Sequence, residues 1–287
     1  MKQLTLTTAL SLLTTLAFAW GATGHRMVAQ ICLDHCSPKA KQEIEQILGN
    51  NYLTMVATWP DFIRSEKQWD FTKHWHYISV DSGVTVQHIL GSTAKQPSID
   101  NVVEAIELMK KILNNDEAAT KQLQDLANKN GANLLSGSVK ATALAFLIHF
   151  IGDIHQPMHV GKTADFGGNT ISVMYFSKKT NLHSVWDGVI IENEQLSFSE
   201  FAAFVNKSHL SSKVVWQKDG ISTWATESVK FRGDIYEALY KNKNVDKATN
   251  LPSFSYDYQH DFIAVVYERI AAAGYRAAFV MDEIFKE

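Results

Sequence analysis

The chain has 287 residues, 20% of them charged and 46% hydrophobic, with a formal net charge of −3. That composition excludes a disordered or low-complexity protein and provides enough apolar material for a sizeable core. Lysines and arginines are scattered, so the sequence shows no basic patch for coating duplex nucleic acid; a nucleic-acid enzyme stays open, because bound divalent cations can supply the charge that phosphate needs.

The first nineteen residues read as an export signal: Lys2 gives a positive start, Leu4 to Leu16 an apolar stretch, and Ala17-Phe18-Ala19 a small-x-small cleavage site. Cleavage there makes Trp20 the new N-terminus and predicts a secreted or periplasmic protein. The apolar stretch is shorter than the roughly 20 residues needed to cross a bilayer, and no later stretch of that length lacks charge, so no membrane anchor is expected. No linker, charge block or repeat divides residues 20–287, which read as one domain.

Three- and four-residue apolar spacing predicts helices through most of this domain. The first runs from Thr23 to Asp34. A second is framed by Ser37-Pro38 at its start and Gly49-Asn50 at its end. Others are expected over Thr54 to Ser65, Ile99 to Leu113, Glu117 to Asn128, and Ser138 to His155, where Pro157 ends the run. Asn169 to Phe176 alternates polar with apolar or β-branched residues after Gly167-Gly168, as a short strand or hairpin would. Helical patterning resumes over Leu182 to Ile191, Ser199 to Asn206, Trp224 to Tyr240 and Asp257 to Phe285. The expected fold is mainly α, a single multi-helix domain with a small β-hairpin. Cys32 and Cys36, four residues apart, can pair in an exported protein, although helical spacing makes the geometry awkward, and the sequence leaves this open.

Two segments carry metal-ligand spacing. His149 with Asp153, and His183 with Asp187, each place an imidazole and a carboxylate at i and i+4, on one helical face. One such pair is more often a plain hydrogen-bonded pair. Two in one domain, the first inside the apolar run Ala143 to Ile151, point to metal, because buried charge must be compensated. Nitrogen and oxygen donors without thiolates suit zinc. His159, just past Pro157, can join the same site, and Asp61, His74 and His76 add donors upstream. In an extended segment His74 and His76 point to opposite sides, and spacing does not choose between them.

Six ordered motifs assemble from these residues: Trp20-Gly21-x-x-Gly24-His25, Ala57-Thr58-Trp59-Pro60-Asp61, His76-Tyr77, His149 through Asp153 to His159, Gly167-Gly168-Asn169, and Asn181-Leu182-His183 through Asp187. With them the chain resembles the mung bean nuclease family of three-zinc, single-strand-specific nucleases that also act as 3′-nucleotidases, from Trp20 to about Ala278. The resemblance implies one zinc held by Asp61, His76 and His149 and a second by His159, His183 and Asp187. A third would be held by the amine and carbonyl of Trp20 with His25, and bridged to the first by Asp153. It further implies that Asp61 orients and deprotonates the attacking water, that Tyr77 stacks on a base, and that Gly168 and Asn169 lie at the base contact. Arg64, one turn after Asp61, is a candidate phosphate contact. The implied substrates are single-stranded DNA and RNA and 3′-nucleotides, with 5′-phosphorylated products. The acid that the family pattern places two residues after the aromatic is Ser79 here, with Asp81 two further on, which leaves base preference open. A zinc phospholipase C uses a similar N-terminal tryptophan and three zincs. The Gly-Gly-Asn turn, and Asp187 where that pattern has glutamate, favour the nuclease. An exported zinc-binding protein without catalysis is the third reading.

Overall fold

The computed structural model describes residues 20–93 and 98–286, so the expected export signal lies outside the described residues. In chain order the helices are α1 (Ala22–His35), α2 (Pro38–Leu48), the single turns α3 (Leu53–Val56) and α4 (Trp59–Phe62), α5 (Val86–Thr93), α6 (Val102–Leu113), α7 (Glu117–Asn130), α8 (Val139–His155), the short α9 (Leu182–Ser184) and α10 (Ile190–Glu192), α11 (Phe198–His209), α12 (Lys213–Trp216), α13 (Ile221–Lys241) and α14 (Tyr256–Ile284). Strands β1 (Ser172–Tyr175) and β2 (Lys178–Asn181) form an antiparallel hairpin, and β3 (Ser253–Phe254) adds to β1 in parallel. The protein is thus mainly α with one small sheet. Among the described residues no helix is long and apolar enough to cross a membrane.

Helix α8 is the axis of the molecule: every residue from Ala141 to His155 is buried. Helices α1, α6, α13 and α14 pack around it, and α1 also lies along α14 and α11. Burial on all sides explains why this stretch reads as continuously apolar rather than amphipathic. Local signals set its ends: the Ser138 hydroxyl accepts from Ala141 N at 3.2 Å, and Pro157 follows Gln156, the last cap. Ser37 likewise caps α2 by accepting from Ala40 N at 3.1 Å, with Pro38 in the first turn.

Two expected helices take other forms. The stretch Thr54 to Ser65 breaks into α3, α4 and a 3-10 turn over Ile63–Ser65, because Pro60 can only begin a helix. The stretch Leu182 to Ile191 is α9 and α10 joined by a π turn over Val185–Val189. A 3-10 helix over Lys67–His76, unmarked by any 3.6-residue periodicity, buries Trp69, Thr72 and Trp75 at the three-residue spacing of that helix type. The Cys32 and Cys36 sulfurs are free thiols 3.6 Å apart.

Candidate metal centre and substrate cavity

The side chains singled out above come from six separate segments and meet beside α8. Among the described residues three groups bring their donor atoms within 4.8 Å of one another: His25, His149 and Asp153; Asp61, His76 and His149; and His159, His183 and Asp187. All are buried. Each arrives for a local reason. His149 and Asp153 share one face of α8, with Nε2 and Oδ2 3.2 Å apart. The 3-10 segment turns His76 inward and leaves His74 exposed, which resolves the ambiguity between them. Asp61 sits in the single turn α4 and Asp187 in the π turn, where Nε2 of His183 lies 3.2 Å from its Oδ2.

Asp153 stands at the junction: Oδ2 is 3.0 Å from His76 Nδ1, and Oδ1 is 3.4 Å from His25 Nε2 and 3.6 Å from His159 Nδ1. The His25 and His149 rings stack with centroids 3.8 Å apart. Trp20 is fully buried next to them, and the following amide, Gly21 N, donates to Asp187 O. Gly152 makes the approach possible, because a Cβ there would stand 2.8 Å from His25 Nδ1.

Three imidazoles are held in a single tautomer by the backbone. Nδ1–H donates to Ala57 O from His149 at 2.8 Å, to His76 O from His159 at 2.7 Å, and to Gly167 O from His183 at 2.7 Å. Nε2 of each therefore keeps its lone pair facing the cluster, the arrangement that orients metal-binding histidines elsewhere. Several buried polar atoms here lack any hydrogen-bond partner, among them both nitrogens of His25, Nε2 of His76 and His159, Oδ1 of Asp153 and Oδ2 of Asp187. Leaving so many buried groups unsatisfied is costly, and a cation would satisfy nitrogen and oxygen donors together.

The electrostatics agree. Burial pushes His25 and His76 well below the usual histidine range and His149 down to about 4, so these rings are neutral donors at physiological pH. Burial also raises Asp61, and pushes Asp153 up to about 8. Positive charge between the carboxylates would stabilise their ionised forms. Asp187 resists the same burial because His183 and His159 hold it low.

A cavity of about 250 Å³ opens beside the cluster. His76, His159 and His183 reach its floor, and Arg64, Tyr77, Phe166, Gly167 and Asn169 are among its other lining residues. Arg64 Nη1 lies 3.5 Å from Asp61 Oδ1. Tyr77 is 38% exposed, enough ring for another planar group to cover. Asn169 donates from Nδ2 to Phe166 O at 2.8 Å, while Gly168 is buried under the turn rather than among the lining residues.

Sequence reasoning passed over Gln156, which bridges two parts of the centre: Nε2 donates to Asp187 Oδ1, and Oε1 accepts from Met158 N. Its place between Asp153 and His159 was the available signal. The other histidines lie away from the cluster. Buried His155 accepts from Arg276 at Nε2, 2.9 Å away, while His35 bonds Asn206 and His209 bonds Val205 O.

A mainly helical scaffold gathers buried histidines and aspartates into three adjoining groups that could hold metal, beside an open cavity, an arrangement suited to a metal-dependent hydrolase. The sequence pattern of the S1/P1 Nuclease family matches residues 20–286, and the chain belongs to that family. It is similar to Endonuclease 4 of Arabidopsis thaliana, 29% identical over 94% of this chain and 90% of the relative. Nuclease S1 of Aspergillus oryzae is 29% identical over 99% of this chain and 98% of its own length, and Nuclease P1 of Penicillium citrinum 27% over 92% and 97%. The protein is accordingly a nuclease, a hydrolase of phosphodiester bonds.

Proposed function

We propose that this nuclease is an exported enzyme that binds three zinc ions and cleaves single-stranded DNA and RNA to 5′-phosphorylated products, with 3′-nucleotidase activity. The observation carrying this reading is the set of buried donor atoms in three adjoining groups, several of them without a hydrogen-bond partner and three of the imidazoles fixed in one tautomer by the backbone. His159, His183 and Asp187 would hold one ion, and Asp61, His76 and His149 a second. His25 and Asp153 would hold the third with the amine and carbonyl of Trp20, once cleavage after Ala19 frees that amine. Zinc bound there supplies Lewis-acid charge to the phosphodiester oxygens and makes water easier to deprotonate.

The chain's own groups do the rest. Asp61, in the cluster and 3.5 Å from the cavity-lining Arg64, orients the attacking water and takes its proton. Arg64 directs its guanidinium toward the same space, where a phosphate gains charge as it is attacked. Tyr77 offers a ring on which an unpaired base stacks, and Asn169 a polar edge for it. A duplex hides both faces of its bases, so this pocket favours single strands.

The deciding experiment is metal analysis of the mature protein together with assays on single-stranded DNA, duplex DNA, RNA, a 3′-nucleotide and phosphatidylcholine. Three zincs per chain, preference for single strands and 5′-phosphate products are expected. Products carrying 3′-phosphates, full activity with one metal, or hydrolysis of the lipid alone would overturn the reading.

A further inference from the structure

Behind the cavity, α13 presents Arg232 and Tyr236 one turn apart, so both side chains leave the same face. Arg232, 5% exposed, donates from Nη1 to Val160 O and, at 2.7 Å, to Gly161 O, the two carbonyls that follow His159. Tyr236 donates from its hydroxyl to Asp165 Oδ2 at 2.7 Å, and the Lys162 ammonium sits over the Tyr236 ring at 4.0 Å from its centroid. Asp165 passes the connection on: Oδ1 accepts from Gly168 N at 2.8 Å, and its carbonyl from Thr170 N at 3.2 Å. Arg232, Tyr236 and Asp165 are not among the residues that line the cavity.

The turn they hold is intrinsically unfavourable. Phe166, Gly167 and Gly168 have φ values of 52°, 62° and 84°, three successive left-handed residues of which one is a bulky aromatic. A backbone of that kind persists only when its surroundings over-determine it. The same turn carries Asn169 into the cavity wall and provides Gly167 O to the His183 ring.

We propose that Tyr236, acting through Asp165, is a positioning residue for substrate: the pair locks the Phe166–Asn169 turn in its binding conformation and thereby sets affinity for the single strand rather than the rate of the chemical step. The inference rests on the cavity being the substrate site proposed above. His159 is tied separately through His76 O, and His183 also faces Asp187 with Nε2 3.2 Å from Oδ2, so a turn loosened at Asp165 without loss of the Gly167 O contact leaves both donors in place.

The test is steady-state kinetics of the zinc-loaded mature protein on a single-stranded oligonucleotide, with metal content measured for each variant. Tyr236→Phe removes only the hydroxyl and should raise KM about fivefold, the scale of one hydrogen bond, with kcat and metal content close to wild type. Asp165→Ala should raise KM further, Asp165→Asn should restore part of the loss, and adding Tyr236→Phe to Asp165→Ala should change nothing more, because the two act as one unit. An unchanged KM in Tyr236→Phe, a kcat loss without a KM effect, or additive effects in the double variant would overturn the proposal. Asn169→Ala separates the two levels. If it raises KM while Tyr236→Phe does not, only the positioning role fails; if it leaves KM unchanged, the substrate assignment of the cavity fails and takes the positioning role with it.

Discussion

Asp153 and His25 face each other inside the protein with Oδ1 and Nε2 3.4 Å apart and neither side chain exposed. The same carboxylate shares one donor group with His25 and His149 and, through its other oxygen, reaches His76 of the adjoining group at 3.0 Å, a contact to a second group that links the two. Asp153→Asn should therefore remove more metal and more activity than His25→Ala. Equal, mild losses measured by metal analysis and turnover would show that Asp153 does not bridge.

Removing metal should destabilise the fold. Asp61 and Asp153 are 8% exposed or less, and taking away the cation that their buried group needs costs about 3–5 kcal/mol, which in a domain of this size lowers the melting temperature by on the order of 10 °C. A chelator followed by zinc should lower and then restore the transition in calorimetry. A melting temperature indifferent to both would mean that the cluster is satisfied without ions.

Trp20 is buried beside Gly24 and Gly152, and it carries a free α-amine only once the residues before it are removed. A peptide nitrogen keeps its proton and has its lone pair delocalised, whereas an α-amine with a pKa near 8 readily gives way to a metal. Retaining one extra residue before Trp20 should cost about one bound ion per chain, and with it most of the activity. Full metal content and turnover in the extended form would exclude the amine as a ligand.

Tyr77→Ala should weaken single-strand binding by ~1–3 kcal/mol and leave metal content alone. Its hydroxyl is held by His74 at 2.6 Å, outside the cluster, so the ring is not needed to build the centre. Metal loss in this variant would make Tyr77 a packing residue.

Outside the cavity lining, Glu227 accepts from Arg269 at 2.6 Å and from Arg276 at 2.6 and 2.8 Å, with both guanidinium groups buried. Burial alone would raise its pKa, but the two arginines hold it below the ordinary glutamate value. A depressed carboxyl contributes stability above its unfolded pKa near 4.3 and loses it as pH falls through the folded value. Glu227→Gln should lower stability at neutral pH by about 3 kcal/mol and flatten the fall on the acid side. Parallel pH–stability curves for variant and wild type would refute this.

Much of the centre was legible because α8 combines an apolar run with a His-x-x-x-Asp pattern, a combination that buried charge tolerates only with compensation. Capping residues such as Ser138 and Ser37 marked helix starts for the same local reason. The choice of His76 over His74 came only from the family motif and was not legible from spacing, because it depends on a 3-10 segment whose three-residue burial is invisible to a search for 3.6-residue periodicity. Nor was the support of the cavity by Arg232 and Tyr236, which meet Gly161 and Asp165 only after α13 folds back across the molecule.

Gly152 lies in the interior of α8, where alanine would ordinarily strengthen a helix by roughly 0.5–1 kcal/mol. Its missing Cβ is the space His25 occupies. A methyl group there would overlap the buried His25 ring, and overpacking of about 1–3 kcal/mol outweighs the helical gain, so this glycine serves the stability of the interior as well as the place of His25. Directed evolution of this enzyme under heat should therefore leave Gly152 in place even with activity unscreened.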